Sequence, residues 1–303
     1  MTRDVGDPGD LCYPLSLRRL IINADDFGLT SGVNRAIAEA GRAGGLASAT
    51  IMANAPAFTE ATGLAKDLPQ LKTGCHVVLI DGKPIASDLP TLAPGGREFR
   101  SSLKEFARAA WRGKIAASEV QREAEAQIRK IQSAEVTLTH VDSHKHTHLF
   151  PSVLRPVLRA ARACGIRGVR NPFEPLRSWP AGMLATTPGL WLRSAAVTAF
   201  GFFAADFRKA IKEEGMLTTD GTVGIAATGL LDQKKLLAIL QALPEGTWEL
   251  VCHPGYADDD LKAAGTRLVQ SRQVELQALT SEATKKAIAG RGIELISYAD
   301  LRA

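Results

Sequence analysis

Short apolar runs and amphipathic stretches alternate along most of the chain. Leu20-Ile21-Ile22-Asn23-Ala24 breaks at Asp25-Asp26-Phe27-Gly28, after which Thr30 or Ser31 caps a helix carrying Val33, Ile37 and Ala40 and stopped by Gly44-Gly45. Apolar or β-branched runs at 47–53, 73–79, 136–141, 166–170, 221–227, 247–252 and 292–297 predict further strands. Helical patterns cover 56–66, 102–112 and 118–132, and another opens at Pro151. Strands alternating with helices at this pitch imply right-handed crossovers and a mostly parallel sheet. About eight such units fit a distorted (β/α) TIM-like barrel better than an open sheet. No repeat or linker divides the chain, so the expectation is an N-terminal tail at 1–17 and a single domain at 18–303. Residues 81–100, rich in Pro, Gly and Asp, predict a long loop of the kind that closes over active sites.

Composition narrows the class without changing that picture. The 303 residues are 45% hydrophobic and 23% charged, which excludes disorder and coiled coil as global descriptions. Thirty-seven basic against 32 acidic residues leave a net charge of +5, too diffuse for a nucleic-acid partner. Four cysteines with no Cys-x-x-Cys pair point to reduced thiols in a cytoplasmic setting. No secretory signal is visible, and no stretch is long and clean enough to span a membrane.

Chemistry collects where strands end. Asp25 and Asp26 follow the first run, His76 lies in the third, and His253 follows the run before Pro254-Gly255. His140, Asp142, His144, His146 and His148 crowd the end of the fourth, all at even positions, so they share one face wherever the chain is extended. In parallel α/β folds the carboxyl rim is where sites assemble. Each residue also has a plain structural role open to it. The Asp pair suits a helix entrance, His76 a buried core position, His253 a turn and the histidine-rich stretch a solvated loop. A shared rim accounts for all of them together. Histidines converging with a carboxylate suit zinc or iron, or magnesium or manganese where carboxylate and water dominate.

Asn23-Ala-Asp-Asp-Phe-Gly28, His76 after a glycine, His140-x-Asp-Ser-His-x-His-x-His-x-Phe-Pro151 and His253-Pro-Gly255 together resemble the YdjC-like carbohydrate deacetylases, a group with chitooligosaccharide and hopanoid-associated members. The likeness runs from about Leu17 to the C-terminus. It implies a distorted barrel and a hydrolase of linear amides, removing the N-acetyl group from an acetylated amino sugar with one divalent metal ion, Mg²⁺ or Zn²⁺. Asp26, His76 and His144 would be the ligands, Asp25 the general base and His253 the acid that protonates the leaving amine. Asp142 would orient a histidine ligand, His146 and His148 would meet sugar hydroxyls, and Arg170 belongs with this supporting or substrate-binding group. A metal-dependent phosphoesterase and a non-catalytic carbohydrate-binding barrel are the alternatives. The apolar stretch 177–209, with Trp179, Trp191, Phe200, Phe202 and Phe203, reads as core, a homodimer interface or a membrane-surface contact for a lipid-linked sugar.

Overall fold

The computed structural model describes residues 18–175, 178–187 and 189–302; the expected tail at 1–17 lies outside the described residues. The strands are β1 (Arg18–Phe27), β2 (Ser48–Ile51), β3 (Lys72–Val77), β4 (Leu138–Ser143), β5 (Gly168–Val169), β6 (Gly221–Val223), β7 (Gly246–Cys252) and β8 (Ile293–Leu295). The helices are α1 (Ser31–Arg42), α2 (Phe58–Asp67), α3 (Leu103–Trp111), α4 (Ala117–Ser133), α5 (Pro151–Ala163), α6 (Ala181–Thr186), α7 (Leu190–Ala199), α8 (Ala204–Glu214), α9 (Gln233–Ala242), α10 (Asp259–Ala263), α11 (Gln270–Thr280) and α12 (Glu282–Gly290).

Every strand pairing is parallel, in the order β5-β4-β3-β2-β1-β7-β6, with β8 beside β1. β7 follows one edge of β1 over its first seven residues. The other edge is shared, by β8 near Arg18–Leu20 and by β2 from Asn23 onward. The outer strands β5 and β6 share no ladder, and single bonds to and between residues flanking them bridge the gap. Val169 N–H donates to the Leu217 carbonyl at 2.9 Å, Leu217 N–H to Arg167 at 2.8 Å and Thr222 N–H to Phe173 at 3.0 Å. That seam is the distortion in the TIM-like barrel, and it follows from a β5 only two residues long.

Alternation along β1 divides the interior. Leu20, Ile22 and Ala24 join the large core under the surrounding helices. Ile21 faces the lumen, where it packs with Ile296, Tyr298 and Leu301 into an apolar plug. Above the plug the lumen turns polar: Asn23, Asp25, Thr50, His76, His140, Asp142, Arg170 and Glu249 are all buried. Gly74 makes room for one of them, because a Cβ there would lie 2.5 Å from the His140 ring.

The loop after β3 is not the free flap its composition suggests. Glu119, Glu123 and Gln127 form one face of α4 and are buried. Glu123 accepts backbone N–H bonds from Ile85 and Ala86, and Glu119 from Thr91 and Leu92. The Gln127 amide bonds both the N–H and the carbonyl of Val78. With Leu89, Leu92 and Phe99 also buried, the segment is stapled to the barrel wall.

Candidate active site

Two adjacent strand residues ordinarily face opposite sides of a sheet, so Asp25 and Asp26 could not both enter one site from a regular strand. β1 resolves this with an irregularity. Its register against β2 shifts between Ala24 and Phe27, and Asp26 takes a left-handed backbone with φ of +66°. Aspartate tolerates that conformation better than most residues. Both carboxylates consequently face the rim of the lumen.

β3 and β4 pair His76 directly with Asp142, and the His76 Nδ1 lies 2.7 Å from the Asp142 Oδ1. This turns Nε2 toward Asp26 and His144. β4 runs two residues beyond the predicted strand, to Ser143, and a 3-10 turn at His144–Leu149 then redirects the chain through left-handed Lys145 and His146. His144 is thereby swung over the rim. Its Nδ1 is 3.3 Å from the His76 Nε2 and 3.3 Å from the Asp26 Oδ1, which in turn is 3.5 Å from His76. Donors arranged tetrahedrally around an ion at zinc-like bond lengths stand about 3.3–3.5 Å apart. Asp26 Oδ1 is also buried with no hydrogen-bond partner, so an acceptor faces the centre of this triangle unused. Asp26, His76 and His144 fit a divalent ion.

A second cluster, Asp25, His76 and Asp142, is compact enough to be considered as well. Its carboxylates are already engaged. Arg170, buried in the lumen just beyond β5, spans Asp25 through two bonds of 2.8 and 2.6 Å, and reaches Asp142 at 2.6 Å and Glu249 at 2.7 Å. Burial would raise the Asp25 pKa, but Arg170, His76 and His253 hold it well below the ordinary carboxylate range. Burial alone would lower His76, yet Asp142, Asp25 and Asp26 together lift it to about 9.

His253 follows β7 and stands opposite, its Nε2 3.9 Å from the Asp25 Oδ2. Burial lowers it to about 4, against the pull of Asp25 and Asp26. Its backbone N–H donates to Glu275 at 2.6 Å, and burial raises that carboxyl to about 7.

The other expected residues take different places. Asp142 sits behind His76, as an orienting partner would. His148 is fully buried, bonded through Nδ1 to the Ser143 hydroxyl and through Nε2 to the Arg170 carbonyl, so no ring nitrogen remains for a sugar. Arg170 is likewise enclosed and meets carboxylates, not solvent. His146 is half-buried, with its Nδ1 unpartnered.

Three important residues escape sequence reasoning. Arg272 on α11 bonds the second oxygen of Asp26 at 2.5 Å, and Glu275 lies one turn further along the same helix. Neither stands in a recognisable motif. Glu249 does leave a trace, as a lone charge inside the apolar run Trp248–Cys252.

The profile of YdjC-like proteins matches residues 19–290. A protein of Geobacillus stearothermophilus named carbohydrate deacetylase is 34% identical over 282 residues, covering 93% of this chain and 97% of that one. A protein of Klebsiella pneumoniae (strain 342) named chitooligosaccharide deacetylase is 32% identical, covering 94% and 99%. Among solved structures, an Enterococcus faecalis V583 protein described as a candidate cellobiose-phosphate cleavage protein superposes with a TM-score of 0.73 at 27% identity, covering 93% of this chain and 98% of that one. With a profile match over most of its length and relatives above 30% identity from end to end, this chain belongs to the YdjC-like family.

Proposed function

We propose that the protein is a metal-dependent hydrolase that removes the N-acetyl group of an acetylated amino sugar, either a chitooligosaccharide or a lipid-linked N-acetylglucosamine. One observation carries the reading: the unpartnered Asp26 oxygen facing His76 and His144, beside an Arg170-anchored Asp25 and opposite His253. The names of the relatives support the same reaction class.

A single divalent ion, Mg²⁺ or Zn²⁺, held by Asp26, His76 and His144 would polarise the acetamide carbonyl and make water more acidic. The protein's own groups do the rest. Asp142 holds the His76 ring so that Nε2 faces the site. Arg272 holds Asp26 by its other oxygen. Asp25, ionised and fixed in orientation by Arg170, accepts the proton of the attacking water. His253, neutral before the reaction, receives that proton from Asp25 and delivers it to the departing amine nitrogen. A two-metal phosphoesterase is disfavoured, because the carboxylates of the second cluster are engaged by Arg170.

All three described cysteines are free, which supports a reducing, cytoplasmic setting. No helix among the described residues is long and apolar enough to cross a membrane.

The test is acetate release from N-acetylglucosamine, its β-1,4 dimer and trimer, and an N-acetylglucosaminyl lipid, after chelation and after Mg²⁺ or Zn²⁺ is restored. Release that depends on the restored ion supports the reading, and the preferred substrate selects between the two sugar classes. Silence across the panel, with an ion bound, returns the protein to the phosphoesterase and binding-protein readings.

A further inference from the structure

Two insertions build an apolar face on the rim that carries the site. α3 belongs to the β3–β4 connection and α7 to the β5–β6 connection. Both precede helices, α4 and α8, that return to the starts of the next strands, so the junctions at 111–117 and 200–204 lie level with the carboxyl ends of the strands. Contacts confirm the location of the first. Phe106 of α3 packs on Phe150, immediately after the His144–Leu149 turn, and Ser152 donates to the Ala110 carbonyl at 3.4 Å.

On α3, Phe106, Ala109 and Ala110 are buried, while Leu103 and Trp111 are exposed eight residues apart on one side, Trp111 by 72%. The neighbouring stripe is Lys104, Arg108 and Arg112, all exposed and spaced four apart. Trp111 meets Phe203 edge-on at 6.2 Å, and Phe203 meets Phe202, itself 80% exposed. α7 leads into this cluster. Apart from Arg193, Ser194 and Thr198 it is apolar in sequence, yet only Leu190 and Ser194 are buried; Trp191 and Leu192 are exposed, as is Phe200 beyond its end. A helix apolar on nearly all sides is ordinarily enclosed. Here the core covers one narrow strip.

We propose that this face docks the protein on the surface of an anionic lipid bilayer. Tryptophan and phenylalanine beside a lysine and arginine stripe are the combination that an acyl boundary under negative headgroups accommodates. A second copy of the chain suits the face less well, since two-fold pairing would bring two cationic stripes into one interface. The rim places the reaction centre at the same surface. The proposal stands apart from the reaction assigned above, because vesicle binding is measured without turnover.

The experiment is flotation of the full-length protein with vesicles of phosphatidylcholine alone or containing phosphatidylglycerol. Expected is recovery with the anionic vesicles and release by salt. Replacing both Trp111→Ser and Phe202→Ser should weaken partitioning at least about tenfold. Replacing Lys104→Glu, Arg108→Glu and Arg112→Glu together should weaken it on the order of 100-fold. Both variants should keep the wild-type melting temperature, which separates lost docking from lost folding. Protein that stays with the soluble fraction, equal binding to neutral vesicles, or unchanged binding by the Trp111/Phe202 variant overturns the proposal. So does a wild-type dimer that the Trp111/Phe202 variant dissociates, which would give the face to a second copy.

Discussion

Arg170→Met is the substitution that most directly tests how the lumen is held together. Arg170 is enclosed and contacts Asp25, Asp142 and Glu249 at 2.6–2.9 Å. Methionine fills much of the volume but leaves three carboxylates without their shared cation. Removing one partner of a buried ion pair costs about 3–5 kcal/mol, and with three acceptors stranded the upper end of that range applies. Against a total stability of about 5–15 kcal/mol this is a large fraction, lowering the melting temperature by roughly 10 °C. The pH dependence carries the sharper information. Arg170 holds the folded-state Asp25 pKa below its unfolded value, so the stability it contributes is fully present above about pH 4 and lost as pH falls below that. The deficit of the variant should therefore hold from about pH 7 to about pH 4 and shrink below that. Urea unfolding of both proteins from about pH 7.5 to about pH 2.5 measures this difference. A deficit below about 1 kcal/mol at pH 7, or one that stays constant down to about pH 2.5, would refute the view that Arg170 works through these carboxylates.

Four further outcomes are expected. His144→Ala should lower divalent-ion affinity by more than about 100-fold, and Asp142→Asn, which removes the charge behind His76 and from one of the carboxylates held by Arg170, by about 10–100-fold; titration calorimetry showing the reverse order would displace His144 from the ligand set. Glu123→Ala leaves the Ile85 and Ala86 N–H groups unpaired and should cost about 2–4 kcal/mol, with faster proteolytic nicking inside 81–100; unchanged nicking would mean the staple is dispensable. Burial lifts Glu174, which accepts from Gly224, Ala226 and Trp179, from 4.5 to about 7. The folded state thus keeps a proton that the unfolded chain releases between those values, and stability falls as pH rises through that window. Glu174→Gln should flatten this limb in unfolding measured from pH 5 to 7.5, and an identical slope in both proteins would count against it.

The parallel barrel was legible because its cause is local. Apolar runs at 20–24, 73–79 and 247–252 coincide with β1, β3 and β7, and Thr30 caps α1 through the Val33 N–H. Of the candidate ligands, Asp26 and His144 lie just past the apolar runs at 20–24 and 136–141, and His76 lies within the run at 73–79. Errors arise where polar residues act at long range. Glu119, Glu123 and Gln127 have the spacing of a solvated helix face, and only the N–H groups of a loop some 28–49 positions away make that face an interior one. Arg272 reaches Asp26 across 246 positions, which no local pattern records. His148 belongs to the same histidine-rich run as His144, and only the 3-10 turn separates a residue over the rim from one beneath it.

The charges of the lumen bear on what the site can hold more strongly than any single distance. Asp25, Asp26, Asp142 and Glu249 are four carboxylates in one buried volume, and the guanidinium groups of Arg170 and Arg272 are their cationic partners there. Burial pushes the Glu249 carboxyl up, and bonds at both its oxygens, from Arg170 and from the Tyr298 hydroxyl, oppose that by favouring the charged form. Four carboxylates against two guanidinium groups leave up to two negative charges uncompensated in a region shielded from water, where unbalanced charge is costly. The imbalance is not spread evenly. Both guanidinium groups engage the outer oxygens of the set, while Asp26 Oδ1 is left unpartnered beside two imidazoles. A protonated His76 offsets one charge at most. A divalent cation at that position would offset two, in contact with the one oxygen of these four carboxylates that has no hydrogen-bond partner, so charge balance and geometry favour the same point in the barrel.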